Sequence, residues 1–395
     1  MIIKNSLILD YLIEIPNFLS MFTFAFFMMM TSPILVDIGV FFKVSPENIN
    51  LIITFYTIGV IMGLITSIFL NRKFKKIHII IVAYLIAIPI LVTLGLTKNL
   101  IIFNILYFIV GYFIGLAWIN ANSNLVESRI KNKDSVVNFG HSFFAFGALI
   151  APFISTGLIN HKMSWNIIYF ITVLLVLITI FSYIIILKMN KTSVLPEQEK
   201  KPIKGLFKYK NKNIFFLFSI ILMVLYAITE NIVGTWAPTF FRIQKMFSLS
   251  SAGFILTVFY IGVLVGRLGI SFLSYRLRAR YIMIGSSLIS IVSLILVIFI
   301  DNAVINFVAI GFVGLGFSGL APLIISTTSA THDSNKDIVI SIIFFFGLSG
   351  QAFAPYLTKL ISNNNMVFSL SLTIFLMIAF LVFTLIRVFY KKKYM

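Results

Sequence analysis

Apolar residues run along this chain in long blocks, and polar residues gather in the short gaps between them. Twelve such blocks can be marked, near residues 16–41, 48–70, 77–96, 100–126, 136–159, 165–188, 213–241, 250–273, 279–300, 303–329, 338–360 and 365–388. Each is long enough to cross a hydrocarbon core of roughly 30 Å as a helix. The pattern therefore predicts an all-α membrane protein of twelve transmembrane helices. The first block follows Met1 to Glu14, exceeds the length of a signal-peptide core and lacks a cleavage site, so it is expected to be retained as a span.

Composition strengthens this picture. Of the 395 residues 60% are hydrophobic, 11% are charged and 43 are Phe, so a soluble fold would leave most of its surface apolar. The absence of cysteine excludes disulfides and thiol chemistry.

The net charge of +19 is explained by where the cations sit. If the N-terminus is cytoplasmic, 25 of the 31 Lys and Arg fall in cytoplasmic segments, including eight Lys between Lys188 and Lys212 and the tail Arg387, Lys391, Lys392 and Lys393. Lys43, Lys98, Lys162, Arg242, Lys245 and Lys359 fall outside. Positive residues in short loops are retained on the cytoplasmic side and meet an anionic leaflet there. Both termini are thus expected in the cytoplasm of a bacterial plasma (inner) membrane. The basic balance needs no nucleic-acid partner. The Lys-rich stretch reads as a cytoplasmic linker with a surface-lying portion near Gly205 to Lys210.

An internal repeat gives the architecture. An offset of 203 residues carries Ile58-Gly59-Val60-x-x-Gly63 onto Ile261-Gly262-Val263-x-x-Gly266 and Asn132-Lys133-Asp134 onto Asn335-Lys336-Asp337. It also carries Gly147 onto Gly350 and Ala151-Pro152 onto Ala354-Pro355. Six spans return the chain to its starting side, so the copies run parallel: an N-terminal half over 1–188, a linker over 189–212 and a C-terminal half over 213–395. Two parallel six-helix halves are the architecture of major facilitator transporters, which hold substrate between the halves near the bilayer midplane.

The repeated glycines Gly59, Gly63, Gly262 and Gly266 are small-x-x-x-small pairs suited to close helix approach. Pro152 and Pro355 are expected to kink the fifth and eleventh spans. Arg267 reads as a snorkelling or anchoring charge near the inner face.

Differences between the halves point to chemistry, since packing alone predicts similarity. Glu230 maps onto Phe27, His141 onto Phe344, and Trp118, Asn120 and Asn122 onto Ala321, Leu323 and Ile325. Glu230 stands in an otherwise uncharged span, where an acid is expensive and by default functional. The bland reading is a neutral acid in a helix-to-helix hydrogen bond, or one hydrated near the outer surface. His141 is open to three readings: substrate ligand, protonatable coupling group, or helix-to-helix hydrogen bond. Asn120 is placed toward a cavity, with Asn122, Asn231 and Gln351 as further cavity candidates and Asn138 as a weaker one. Trp236 is either a site residue or an interfacial anchor.

The chain resembles the fucose, galactose and glucose symporter group of the major facilitator superfamily, especially its TsgA-like branch. The resemblance rests on Tyr226-x3-Glu230-x3-Gly234-Thr235-Trp236, on Gly266-Arg267, and on the stretch from Asn120 through Asn138, His141, Phe144 and Gly147 to Pro152. Phe18-Leu19-Ser20 and Ser67 to Asn71 add to it. It implies a transporter working by alternating access. The family's coupling acids in helices 1 and 4, however, correspond to Ser32 and Trp118, neither of which carries a proton. Its glutamine and asparagine in helix 5 correspond to His141 and Phe144, and the loop Asn71 to Lys76 lacks the superfamily's usual aspartate.

The expectation is a secondary transporter of a small sugar-like or polar nutrient, proton-coupled through Glu230 or, second, His141. It would act as a monomer in the bilayer and need neither cofactor nor metal. Efflux of amphipathic compounds and a non-transporting sensor remain alternatives. An enzyme is disfavoured because the four histidines are scattered.

Overall fold

The computed structural model describes residues 2–126, 128, 133–189, 210–273, 276–331, 336–362 and 366–394. Most of the predicted linker, the repeat positions Asn132 and Asn335 and the side chain of Asn138 lie outside the described residues. Among those described, every regular element is helical. Twelve segments, from Leu12–Phe42 to Met366–Tyr390, are long and apolar enough to cross a membrane, which makes this a multi-pass membrane protein.

The chain divides into two compact units, Met1–Pro196 and Glu197–Met395. The first contains α1 (Ile2–Met30), α2 (Leu35–Phe42), α3 (Pro46–Ile49), α4 (Leu51–Leu70), α5 (Lys76–Leu96), α6 (Leu100–Val126), α7 (Lys133–Asn160) and α8 (Ile167–Met189). The second contains α9 (Lys210–Ile243), α10 (Leu249–Leu273), α11 (Ala279–Phe299), α12 (Ala303–Phe317), α13 (Leu320–Ser329), α14 (Lys336–Ser362) and α15 (Met366–Tyr394).

Three predicted spans are not single helices. In the first, α1 ends at Met30 and a 3-10 turn over Ser32–Ile34 precedes α2, because Pro33 brings no N–H to the ladder. The second opens with the short α3. The tenth breaks at Ser318 and Gly319 into α12 and α13. The first span also begins earlier than its apolar run suggested, at Leu12, which brings Glu14 inside it. Pro152 and Pro355 lie within α7 and α14, which run through them as continuous helices.

In the N-terminal unit α1 packs on α7, α6 and α8, while α4 and α5 pack on α6. In the C-terminal unit α9 packs on α14, α15, α10 and α13, and α12 packs on α10 and α11. The tightest crossings repeat contact for contact. A Cβ on Gly59 of α4 would lie 2.1 Å from the carbonyl oxygen of Phe108, and one on Gly262 of α10 would lie 2.0 Å from that of Gly311. Gly63 and Gly266 meet the carbonyls of Tyr112 and Leu315 in the same way, at 2.6 and 2.8 Å. Each of these partners is related to its counterpart by the 203-residue offset. So are two left-handed turn residues, Lys43 (φ 56°) and Met246 (φ 55°).

Candidate functional site

Glu230 sits half-buried on α9 and accepts a 2.7 Å hydrogen bond from the hydroxyl of Tyr226, one turn earlier. Residues four apart share a helix face, so Tyr226, Glu230 and Gly234 form one stripe. On the neighbouring α10, Tyr260 and Arg267 stand seven apart and likewise share a face. The two stripes act on one another. Arg267 interacts electrostatically with both Glu230 and Tyr226, and Tyr260 feels Glu230 and Arg267. Gly234 lies beside this arrangement: a Cβ there would stand 3.8 Å from the Tyr260 hydroxyl, an ordinary contact.

Arg267 is exposed on α10, as an anchoring charge would be, and its field also reaches the Glu230 carboxyl. The cluster therefore holds a carboxyl group, a guanidinium and two phenols. Its floor is aromatic, with Tyr226 packed edge-on against Phe317 at 6.0 Å. The offset maps Tyr226, Glu230, Tyr260 and Arg267 onto Thr23, Phe27, Thr57 and Leu64. None of the four polar functions has a like counterpart in the other half.

Other residues on α9 face elsewhere. Asn231 is buried, and its Oδ1 has no hydrogen-bond partner among the described residues. Trp236 is 1% exposed and donates its indole N–H to Thr358 on α14 at 2.9 Å, so it joins two helices and is not an interfacial anchor. Gln351 is half-buried on α14.

In the N-terminal unit Trp118 and Asn122 share a face of α6, four residues apart. Trp118 stacks on Phe24 at 4.4 Å and 13°, with Phe144 6.1 Å from Phe24. Its indole N–H is buried and has no partner among the described residues, and the same holds for Asn122 Oδ1 and the Tyr56 hydroxyl. Buried polar atoms are normally satisfied, so a donor and acceptors held beside an aromatic stack are what a polar ligand with an apolar face would use. Tyr56 could have been noticed in the sequence only as one more aromatic. Asn120 is fully buried, with Nδ2 bonded to its own helix at Leu116 O, 2.8 Å away, and its Oδ1, like that of Asn122, has no partner among the described residues. His141 is half-buried on α7.

Two buried polar nodes escaped the sequence reading. In the N-terminal unit Glu14 accepts from Asn17 Nδ2 at 2.7 Å, while Asn17 Oδ1 accepts from Tyr183 at 2.8 Å and Asn124 at 3.2 Å. Ser20 and Tyr84 share a 2.6 Å bond nearby. Glu230 is thus not the only carboxylate inside a span. In the C-terminal unit Arg387 of α15 lies between α9 and α13, bonded to Thr327 and Thr328. Both charges sit at span ends, where a sequence shows them only as topology signals.

A sequence model of the Major Facilitator Superfamily matches residues 18–355. The Protein TsgA homolog of Buchnera aphidicola subsp. Schizaphis graminum is 24% identical over 278 residues, covering 69% of this chain and 70% of that one. The Glucose/mannose transporter GlcP of Bacillus subtilis is 23% identical over 338 residues, 82% of each. Among solved structures, a D-xylose-proton symporter superposes with a TM-score of 0.78 at 12% identity over 95% of this chain and 97% of its own. The nucleoside transporter NupG does so with 0.73 at 14% identity, over 98% and 100%.

Proposed function

The chain belongs to the Major Facilitator Superfamily, and from that premise we propose that it carries a sugar-like or other small polar solute, coupled to protons through Glu230. Membership makes it a secondary solute transporter rather than an enzyme. The observation that carries the finer reading is the Tyr226–Glu230 hydrogen bond set in the field of Arg267. A carboxyl group that accepts from a phenol and lies in the field of a guanidinium can exchange the phenol for a proton or a substrate hydroxyl. Within the N-terminal unit, Trp118 and Asn122 offer a polar solute an aromatic surface and polar atoms with no partner among the described residues. The glucose/mannose activity named for one relative supports the same substrate class.

His141 is the second coupling candidate, and Asn120, Asn231 and Gln351 are lesser contacts. The protein works as a monomer by alternating access in a bacterial inner membrane, both termini cytoplasmic, as its lysine and arginine placement favours. Efflux of amphipathic compounds is the second reading, favoured by the Phe24–Trp118–Phe144 aromatic group.

The test is uptake into proteoliposomes with and without an imposed pH gradient, using a panel of hexoses, pentoses, nucleosides and amphipathic cations. Uphill accumulation of a polar solute driven by the gradient, and lost in Glu230→Gln, is the expected result. Equal uptake in both conditions, or a fully active Glu230→Gln protein, would remove Glu230 from coupling.

A further inference from the structure

Arg387 is a buried charge with no role in the transport cluster. Only 5% of it is exposed. Its guanidinium lies over the Phe215 ring of α9 at 4.1 Å. Nη2 donates to the hydroxyls of Thr327 and Thr328 on α13, both at 2.9 Å. Thr328 is in turn within 2.8 Å of Ser219 on α9. Three helices thus converge on one cation.

A guanidinium has five N–H donors and cannot give up its charge. The two threonines satisfy donors on one nitrogen and supply dipoles, but no negative charge. Among the described residues no carboxylate lies within ion-pair distance of Arg387, and its Nε is buried with no hydrogen-bond partner. A buried cation left in this state is strongly unfavourable unless a counter-charge completes it.

The other half supplies a comparison. The 203-residue offset places Thr327 on Asn124, and Asn124 belongs to a node that holds its own charge, with Asn17 linking it to Glu14. The node in the N-terminal unit contains a carboxylate; the matching node in the C-terminal unit contains a guanidinium and an open donor. Depth narrows what could fill it. Arg387 is three residues from the end of the span Met366–Tyr390, about 4.5 Å along the helix, and the chain continues through Lys391, Lys392 and Lys393. That is headgroup depth, on the side where cation placement puts the anionic leaflet.

We propose that Arg387 forms an oxyanion site for a phosphate group, with Nε as its open donor and with Thr327 and Thr328, which accept from Nη2, holding the guanidinium in place. The phosphate comes from an anionic lipid headgroup or from free phosphate, and binding it ties α9, α13 and α15 together. A planar guanidinium suits phosphate where lysine offers only a point charge.

The full-length protein is placed in phosphatidylcholine nanodiscs, and its unfolding is followed by tryptophan fluorescence in two arms. One arm replaces part of the lipid with phosphatidylglycerol; the other adds inorganic phosphate against matched chloride. The wild type should melt higher in at least one arm. A response to phosphatidylglycerol alone identifies a lipid site, and a response to both shows a site open to free phosphate. Arg387→Gln and Arg387→Lys should lose about tenfold or more in apparent affinity, the value of one charge-assisted hydrogen bond. Changing Lys391, Lys392 and Lys393 together to Gln should leave the response. If Arg387→Gln does not fold, Thr327→Val keeps the charge, removes one hydroxyl and should weaken the response without abolishing it. No shift in the wild type in either arm, an unchanged response in the Arg387 variants, or a response lost only with the tail lysines would overturn the assignment.

Discussion

Gly262→Ala should open the crossing of α10 over α12. The new Cβ would stand 2.0 Å from the Gly311 carbonyl oxygen, 2.9 Å from its carbon and 3.1 Å from Leu315 N. All three are backbone atoms of the facing helix, so no side-chain rotation relieves the clash. Restoring an ordinary contact of about 3.4 Å requires the helices to part by about 1.4 Å, and a gap of about 1 Å already forfeits up to half of each dispersion contact around it. In the bilayer, where lipid tails are as apolar as the helices, packing is a main force holding the pair. Overpacking costs about 1–3 kcal/mol, and the absence of a side-chain escape places this case at the upper end, about 3 kcal/mol or two decades in the unfolding equilibrium. Gly59→Ala, at 2.1 Å from Phe108 O, should cost the same. Gly157, Gly269 and Gly285 are also helical but have nothing within 4 Å of a built Cβ; alanine there should be neutral or stabilising by up to about 1 kcal/mol through helix propensity. Thermal unfolding of the five variants in one detergent decides the matter. If Gly262→Ala melts with Gly269→Ala, the argument from backbone clash is wrong.

Three further outcomes follow from single contacts. Thr358→Val removes the acceptor of the buried Trp236 N–H and should cost about 1–3 kcal/mol, read as a lower melting temperature with transport otherwise retained. Tyr226→Phe keeps the ring against Phe317 but deletes the donor to Glu230; it should melt like the wild type and slow uptake about tenfold, the worth of a hydrogen bond to a charged group, whereas unchanged uptake would place the pair outside the transport path. Asn17→Leu severs bonds to Glu14, Tyr183 and Asn124 together and should destabilise by about 3 kcal/mol or more. Glu14→Gln, which can still accept from Asn17, should cost much less, and equal melting of the two would show that the network does not depend on Asn17.

The twelve spans were legible because a run of some twenty apolar residues has few alternatives to a membrane helix. Their interruptions were not. Window hydropathy averages over Thr31, Ser32 and Pro33, and over Ser318 and Gly319, where the helices break. The Tyr226, Glu230, Gly234 stripe could be read from spacing along one helix. The connection to Arg267 could not, because it depends on which face α10 turns toward α9. Glu14 and Arg387 were hidden by their position at span ends, where every charge looks like a topology signal and only packing tells a buried guanidinium from a solvated one.

The duplication itself explains which features survive in both halves. Contacts made by backbone against backbone recur with their partners: Gly59 with Phe108 and Gly262 with Gly311, Gly63 with Tyr112 and Gly266 with Leu315. No side chain can replace hydrogen at those points without forcing the helices apart, so each half must keep its glycine. Polar nodes carry no such constraint. A buried node needs only to satisfy its own donors and acceptors, and an amide at Asn124 and a hydroxyl at Thr327 do so with different neighbours. The same freedom lets one half carry Tyr226, Glu230, Tyr260 and Arg267 where the other has Thr23, Phe27, Thr57 and Leu64. Where the copies agree they report how the helices cross; where they differ, as at the α9–α10 cluster, the scaffold leaves room for the coupling role proposed for Glu230.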